Sequence, residues 1–82
     1  MASNREDRVD LTVDARTLPC PLPVLRAKKG LNSLEVGQVL HITATDPGSL
    51  ADFTAWTRST GHELLWAEER QGEFSFGIRR LK

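Results

Sequence analysis

Pro19-Cys20-Pro21-Leu22-Pro23 places three prolines in five residues around the only cysteine of the chain. Proline fixes its own φ, carries no N–H and restricts the residue before it. A segment of this kind fits neither a sheet ladder nor a helix interior. It ends whatever precedes it and starts whatever follows. Before it, Val9-Asp10-Leu11-Thr12-Val13 alternates apolar and polar residues. That pattern predicts a strand with Val9, Leu11 and Val13 on one face. After it, Val24, Ala27, Leu31 and Leu34 recur at helical spacing, with Leu25 flanking. They predict a helix from Val24 to Leu34 with Arg26, Lys29 and Asn32 on the other side. Gly30 weakens such a helix by about 1 kcal/mol against alanine, so its last turn is expected to be loose.

The remainder reads in the same way. Gln38 to Thr45 predicts a second strand with Leu40, Ile42 and Ala44 on one face and His41, Thr43 and Thr45 on the other. Asp46-Pro47-Gly48-Ser49 starts a second helix. Two caps fit: Asp46 with Pro47 as first helical residue, or Ser49 with Asp52 three residues on. This helix is expected to run to about Thr60, to bury Leu50, Phe53 and Trp56, and to end at Gly61. Glu63 to Arg70 and Glu73 to Leu81 form a hairpin around Gln71-Gly72. A two-residue loop sets Ala67 opposite Phe76 and Leu65 opposite Ile78 on the core face. Trp66 then opposes Gly77 and Leu64 opposes Arg79 on the other face.

The order is βαβαββ. Strand-helix-strand units cross over right-handed and parallel. The expected fold is an α/β (α+β) two-layer sandwich, a four-stranded mixed sheet with two helices on one face. Residues 9–82 are read as a single domain and 1–8 as a flexible polar tail. Parallel first and second strands would bring both helix N-termini to one sheet edge, so Cys20 and the turn from Asp46 to Ser49 should be neighbours.

The totals exclude several functions. Eleven basic and eleven acidic side chains balance, so nothing in the charge draws the chain to nucleic acid or an anionic membrane. No apolar run approaches the roughly 20 residues of a membrane span, and the first eight residues lack the apolar segment of a secretory signal. One cysteine cannot form an internal disulfide, which suits the reducing cytoplasm. His41 and His62 stand apart from each other and from any second thiol, so neither a metal site nor a cofactor is expected. His41 reads as a solvated residue on the open face, His62 as a residue just past a helix end.

The chemistry available is that of one thiol. The thiolate is the nucleophile, and a helix N-terminus favours negative charge. If Cys20 caps the first helix, Pro21 and Pro23 leave the N–H groups of Leu22 and Val24 near the sulfur. If Leu22 is the cap, Cys20 lies just outside. In both cases the thiol is predicted to be more acidic than a free cysteine, with Arg16, Arg26 and Lys28 adding positive charge. No histidine adjoins it as a base and no second cysteine can resolve a disulfide. That pattern suits a protein that carries a group on its thiol and hands it on; a persulfide is such a group.

Val13-Asp14-Ala15-Arg16-Thr17-Leu18-Pro19-Cys20-Pro21-Leu22-Pro23 resembles the LDxxxxxCPxP signature of TusA/SirA sulfur-carrier proteins. Ala27-Lys28-Lys29, Gly37, Asp46-Pro47-Gly48-Ser49 with Asp52, and Gly61-His62-Glu63-Leu64 follow in register. The resemblance runs from about Val9 to Arg80. It implies a sulfurtransferase with Cys20 as persulfide acceptor and Pro21, Leu22, Pro23 and Asp46 in support. It further implies a cysteine desulfurase or rhodanese-like donor and an acceptor sulfur-relay protein, serving tRNA thiolation, molybdenum-cofactor synthesis or sulfur oxidation. Many members have glycine where Thr17 stands, a residue other than proline at Pro19, and some have glutamate at Leu22.

Two other functions compete: a thiol redox protein reduced by a partner thiol, and a non-catalytic regulatory or binding module. Arg26, Lys28 and Lys29 read as a solvated helix face or as a docking surface for an acidic partner. Leu64 and Trp66, on the uncovered sheet face, read as a contact surface; for Trp66 the plainer reading is a cover over Gly77.

Overall fold

A computed structural model describes residues 9–82. The tail expected over residues 1–8 lies outside the described residues. Six elements follow in the order β1 (Val9–Ala15), α1 (Leu22–Asn32), β2 (Val39–Ala44), α2 (Ser49–Thr60), β3 (Glu63–Arg70) and β4 (Glu73–Arg79). The sheet order is β1-β2-β4-β3, with β1 and β2 parallel and the other pairs antiparallel. This is the expected four-stranded mixed sheet.

The alternation of β2 sorts the layers. Leu40, Ile42 and Ala44 are fully buried and join Phe76 and Ile78 of β4. Ala27 and Leu31 of α1 and Phe53 of α2 complete the same cluster, so both helices cover one face of the sheet. Phe53 and Phe76 stack with ring centroids 4.3 Å apart. Burying each large side chain here contributes about 1.5–3 kcal/mol.

Gly30 is where α1 meets the sheet most closely. A Cβ at this position would run into Leu40 Cδ1 and crowd Leu11. The glycine therefore sets helix–sheet distance at the cost of helix propensity. The last turn of α1 is tied down rather than loose. Ser33 Oγ donates to the Gly30 carbonyl at 2.6 Å, and the Arg80 guanidinium donates to the Leu31 and Leu34 carbonyls. The Gly30 and Leu31 carbonyls also accept from the Ser33 and Leu34 N–H groups, at 3.1 and 3.0 Å, so the helix end is closed by backbone and side chain together.

The hairpin keeps its expected loop. Gln71 and Gly72 both take positive φ, 54° and 83°, the twist that a two-residue hairpin turn requires. Ala67 faces Phe76 and Trp66 faces Gly77. Beyond Trp66 the register shifts, so Leu64, not Leu65, opposes Ile78, and Glu63 opposes Arg79. Leu64 packs against the core cluster. The expectation that Leu64 lies on the open face is thus overturned: a bulge at Leu65 brings Leu64 to the helix-covered face. Leu50 also departs from expectation. It is 47% exposed, because the buried face of α2 runs through Ser49, Phe53 and Thr57.

Candidate functional site

The β1–α1 connection carries Cys20. β1 persists to Ala15, after which Thr17 takes φ 70° and its N–H donates to Thr45 Oγ1 at 2.8 Å. The chain then passes through Leu18 and Pro19 to an exposed Cys20. Pro21, joined to Cys20 by a cis peptide bond, is the N-cap of α1. Neither expected cap forms. Cys20 lies two residues before the first helical residue, Leu22, and Pro23 is buried beneath the first turn.

This arrangement changes the electrostatics expected of the thiol. The Leu22 N–H donates to the Pro19 carbonyl at 2.9 Å, and the Val24 N–H to the Pro21 carbonyl at 3.0 Å. Both donors expected beside the sulfur are therefore spent on backbone. Arg16 is also committed elsewhere. Its guanidinium holds Asp14 at 3.0 Å and reaches Glu73 at 3.5 Å. The Asp14 carboxyl is accordingly lowered to about 2, mainly by its side-chain hydrogen bond from Arg16.

The group that does meet the sulfur comes from α2. The Cys20 thiol donates a hydrogen bond to Asp52 Oδ2. A Cβ on Gly48 would lie 3.8 Å from Cys20 Sγ and 3.9 Å from Cys20 Cβ. The two helix starts therefore meet at one edge, as parallel β1 and β2 require. Asp46 shapes this second start. Its Oδ2 accepts from the Gly48 N–H at 2.9 Å and its carbonyl from the Ser49 N–H at 3.0 Å. Gly48, rather than Asp46 or Ser49, is the N-cap, and it makes no side-chain capping bond. The spacing of Asp52 from the turn marks it in the sequence only as a capping residue; its approach to Cys20 depends on the fold.

Exposed apolar side chains sit at the same edge. Leu22 is 40% exposed and Leu25 53% exposed in the first turn of α1, and exposed Leu50 opens α2. Arg26, Lys28 and Lys29 follow along the solvent side of α1.

The residues of one family profile, described as Sulfurtransferase TusA, match positions 11–80 of this chain. The chain belongs to the TusA sulfurtransferase family. It is 54% identical over 71 residues to the sulfur carrier protein TusA of Allochromatium vinosum, covering 87% of this chain and 93% of that one. It is 44% identical over 71 residues to the putative sulfur carrier protein YrkI of Bacillus subtilis, covering 87% and 95%. The crystal structure of a SirA-like protein from Desulfitobacterium hafniense superposes with a TM-score of 0.74 at 29% identity, over 88% of this chain and 99% of the other.

Within this TusA-family chain, Trp66 is not at the cysteine edge. It lies on the uncovered face of the sheet, half-buried, with its ring against Gly77, where a Cβ would strike it. Its Nε1–H donates to Ser75 Oγ at 3.1 Å, and His41 Nε2 lies 2.9 Å from the same oxygen. Trp66 thus covers Gly77 across the strand pair. His41 belongs to this group rather than standing solvated. His62 accepts the Leu81 N–H at Nδ1, 3.2 Å away. Among the described residues, no three His, Cys, Asp or Glu side chains gather where they could hold a metal ion, and no helix is long and apolar enough to cross a membrane.

Proposed function

We propose that this protein is a sulfur carrier that accepts sulfane sulfur on Cys20 as a persulfide and delivers it to an acceptor protein. The observation that carries this reading is the exposed Cys20 thiol at the meeting of two helix starts. It stands in a family whose relatives are named as sulfur carriers. The exchange balances without an oxidant. Cys20 sulfur attacks the outer sulfur of a donor persulfide, a new S–S bond forms to Cys20, and the donor S–S bond breaks. The donor sulfur leaves with the bonding pair and takes up the proton lost by Cys20. Delivery repeats the step with Cys20 as the leaving sulfur. The protein is thus a sulfurtransferase acting with partner proteins and needing no resident cofactor.

The donor is a cysteine desulfurase or a rhodanese-like protein. The acceptor is a sulfur-relay protein of tRNA thiolation, molybdenum-cofactor synthesis or sulfur oxidation, and the compartment is the cytoplasm. Residues 9–82 act as one domain. Pro21, Leu22 and Pro23 hold the cysteine outside the helix, and Asp46 builds the adjoining turn. Exposed Leu22, Leu25 and Leu50 give partners an apolar contact beside the sulfur, while Arg26, Lys28 and Lys29 favour an acidic rim. Sulfur-labelled cysteine supplied with a desulfurase tests this. Label should appear on the wild-type chain, vanish with reductant, and be absent from Cys20→Ser. Label retained on Cys20→Ser would overturn the assignment.

A further inference from the structure

Among the described residues, Asp52 is the charged side chain bonded to the Cys20 sulfur, and its charge has the unexpected sign. A carboxylate accepts a hydrogen bond from S–H, and it opposes a second negative charge in the same place. The Arg16 guanidinium, expected beside the sulfur, is engaged instead by Asp14 and Glu73. Asp46, the other carboxylate of this edge, is turned to its own backbone at Gly48. Asp52 itself is fixed from behind: it sits in the first turn of α2, and its N–H donates to the Gly48 carbonyl at 3.1 Å. The contact joins residues 32 positions apart, so it exists only when both helix starts are in place.

We propose that Asp52 is a positioning residue that holds the unloaded thiol and turns the loaded sulfur outward; this rests on the carrier reading of Cys20. Unloaded, Cys20 has a proton to give, and the S–H···carboxylate bond keeps the side chain against α2. Loading removes that proton. In Cys20–S–S⁻ the inner sulfur is bonded to carbon and sulfur and has only lone pairs to show the carboxylate, and the outer sulfur carries a negative charge. The bond that held the side chain becomes a repulsion. Rotation about the Cα–Cβ bond of Cys20 then relieves it by carrying the outer sulfur away from Asp52 and into solvent, where an acceptor docks. The same contact thus has opposite signs before and after loading. An idle carrier is shielded from stray electrophiles, and a loaded one is presented.

The test uses the full chain with Asp52→Asn and Asp52→Glu, loaded with inorganic polysulfide so that no protein donor is involved. Loading transfers one sulfur atom from the polysulfide to the Cys20 thiolate and leaves a polysulfide one atom shorter. Unloaded protein is alkylated with iodoacetamide across neutral to alkaline pH. Loaded protein is treated with cyanide, which takes the outer sulfur as thiocyanate and leaves the Cys20 thiolate. Asp52→Asn should raise the alkylation rate near neutral pH about tenfold and move the rate profile to lower pH, since the like charge is gone. It should slow thiocyanate release several-fold, because the amide N–H groups can donate to the persulfide anion. Asp52→Glu keeps the charge and should keep the wild-type direction of both rates. A merely structural lesion would move both rates of Asp52→Asn the same way. That result, or an unchanged alkylation profile, overturns the proposal. If desulfurases and rhodaneses fail to load Cys20 while the two rates still move oppositely, the carrier reading falls and the control of the thiol by Asp52 stands.

Discussion

The N–H of Thr17 donates to the hydroxyl of Thr45 at 2.8 Å, tying the exit of β1 to the exit of β2 just before Cys20. Thr17 makes this bond in the left-handed region, at φ 70°. That conformation is costly for a β-branched residue and free for glycine. A glycine would take this conformation freely, and this chain meets the backbone requirement with strain at Thr17. Thr17→Gly should stabilise the protein by about 1 kcal/mol. For a chain this short, that raises Tm by roughly 4–8 °C. The Thr17 N–H survives the substitution, so alkylation of Cys20 should be unchanged. Thermal unfolding followed by circular dichroism checks the first expectation. A lower Tm would show that the threonine side chain supplies something the backbone geometry does not reveal.

Gly77 is buried beneath Trp66. Gly77→Ala forces the indole off its neighbour and breaks the Trp66 Nε1–H bond to Ser75. Overpacking of this kind costs about 1–3 kcal/mol. Denaturant unfolding should show that loss, with tryptophan emission shifted toward the solvent-exposed wavelength. Sulfur loading of the folded fraction should persist, because this face lies across the sheet from the helices that frame Cys20.

His62 links the chain end to α2. Burial lowers its pKa below the ordinary value, and the charges of Arg80 and Lys82 add to the effect. As a neutral ring, its Nδ1 accepts the Leu81 N–H. The folded pKa lies below the unfolded value of about 6.5. The unfolded chain therefore binds the proton first as pH falls, and the stabilisation present above 6.5 is lost from there downward through the folded pKa. Stability should decline on mild acidification. His62→Asn offers an acceptor oxygen that does not titrate, so its stability profile should be flatter over that range. Equal slopes in the two proteins would remove His62 as the cause.

Leu25 is 53% exposed on the first turn of α1. Leu25→Glu should change stability by no more than about 0.5 kcal/mol. It should nonetheless reduce the rate of sulfur transfer from a protein donor several-fold, and leave loading by inorganic polysulfide unaltered. Parallel kinetics with the two donors check this. An unchanged rate from the protein donor would place the docking surface elsewhere.

Much of this architecture was legible in the sequence because two periodicities announce it. Leu40, Ile42 and Ala44 alternate into the core, and Gln71-Gly72 fixes the hairpin loop. The parallel β1–β2 pair made the meeting of Cys20 with the Asp46 turn a geometric consequence. What escaped was set by contacts distant in sequence. The bulge at Leu65 inverted the side of Leu64, a one-residue slip that no pattern in an apolar pair can signal. Gly30 read as a weak helix position and is a close-packing site instead. The N-caps are Pro21 and Gly48, in place of Cys20 or Leu22 and of Asp46 or Ser49. The thiol was expected to face free N–H groups and basic side chains; the fold spends those N–H groups on carbonyls and offers Asp52.

The proposed role of Cys20 as sole carrier of transferable sulfur is open to direct measurement. Intact mass of the chain after incubation with a cysteine desulfurase and cysteine, or with a rhodanese and its sulfur source, measures it directly. The expected result is a gain of one sulfur atom that reductant reverses and that Cys20→Ser abolishes. An unchanged mass with active donors of both kinds, or the same gain in Cys20→Ser, would contradict it.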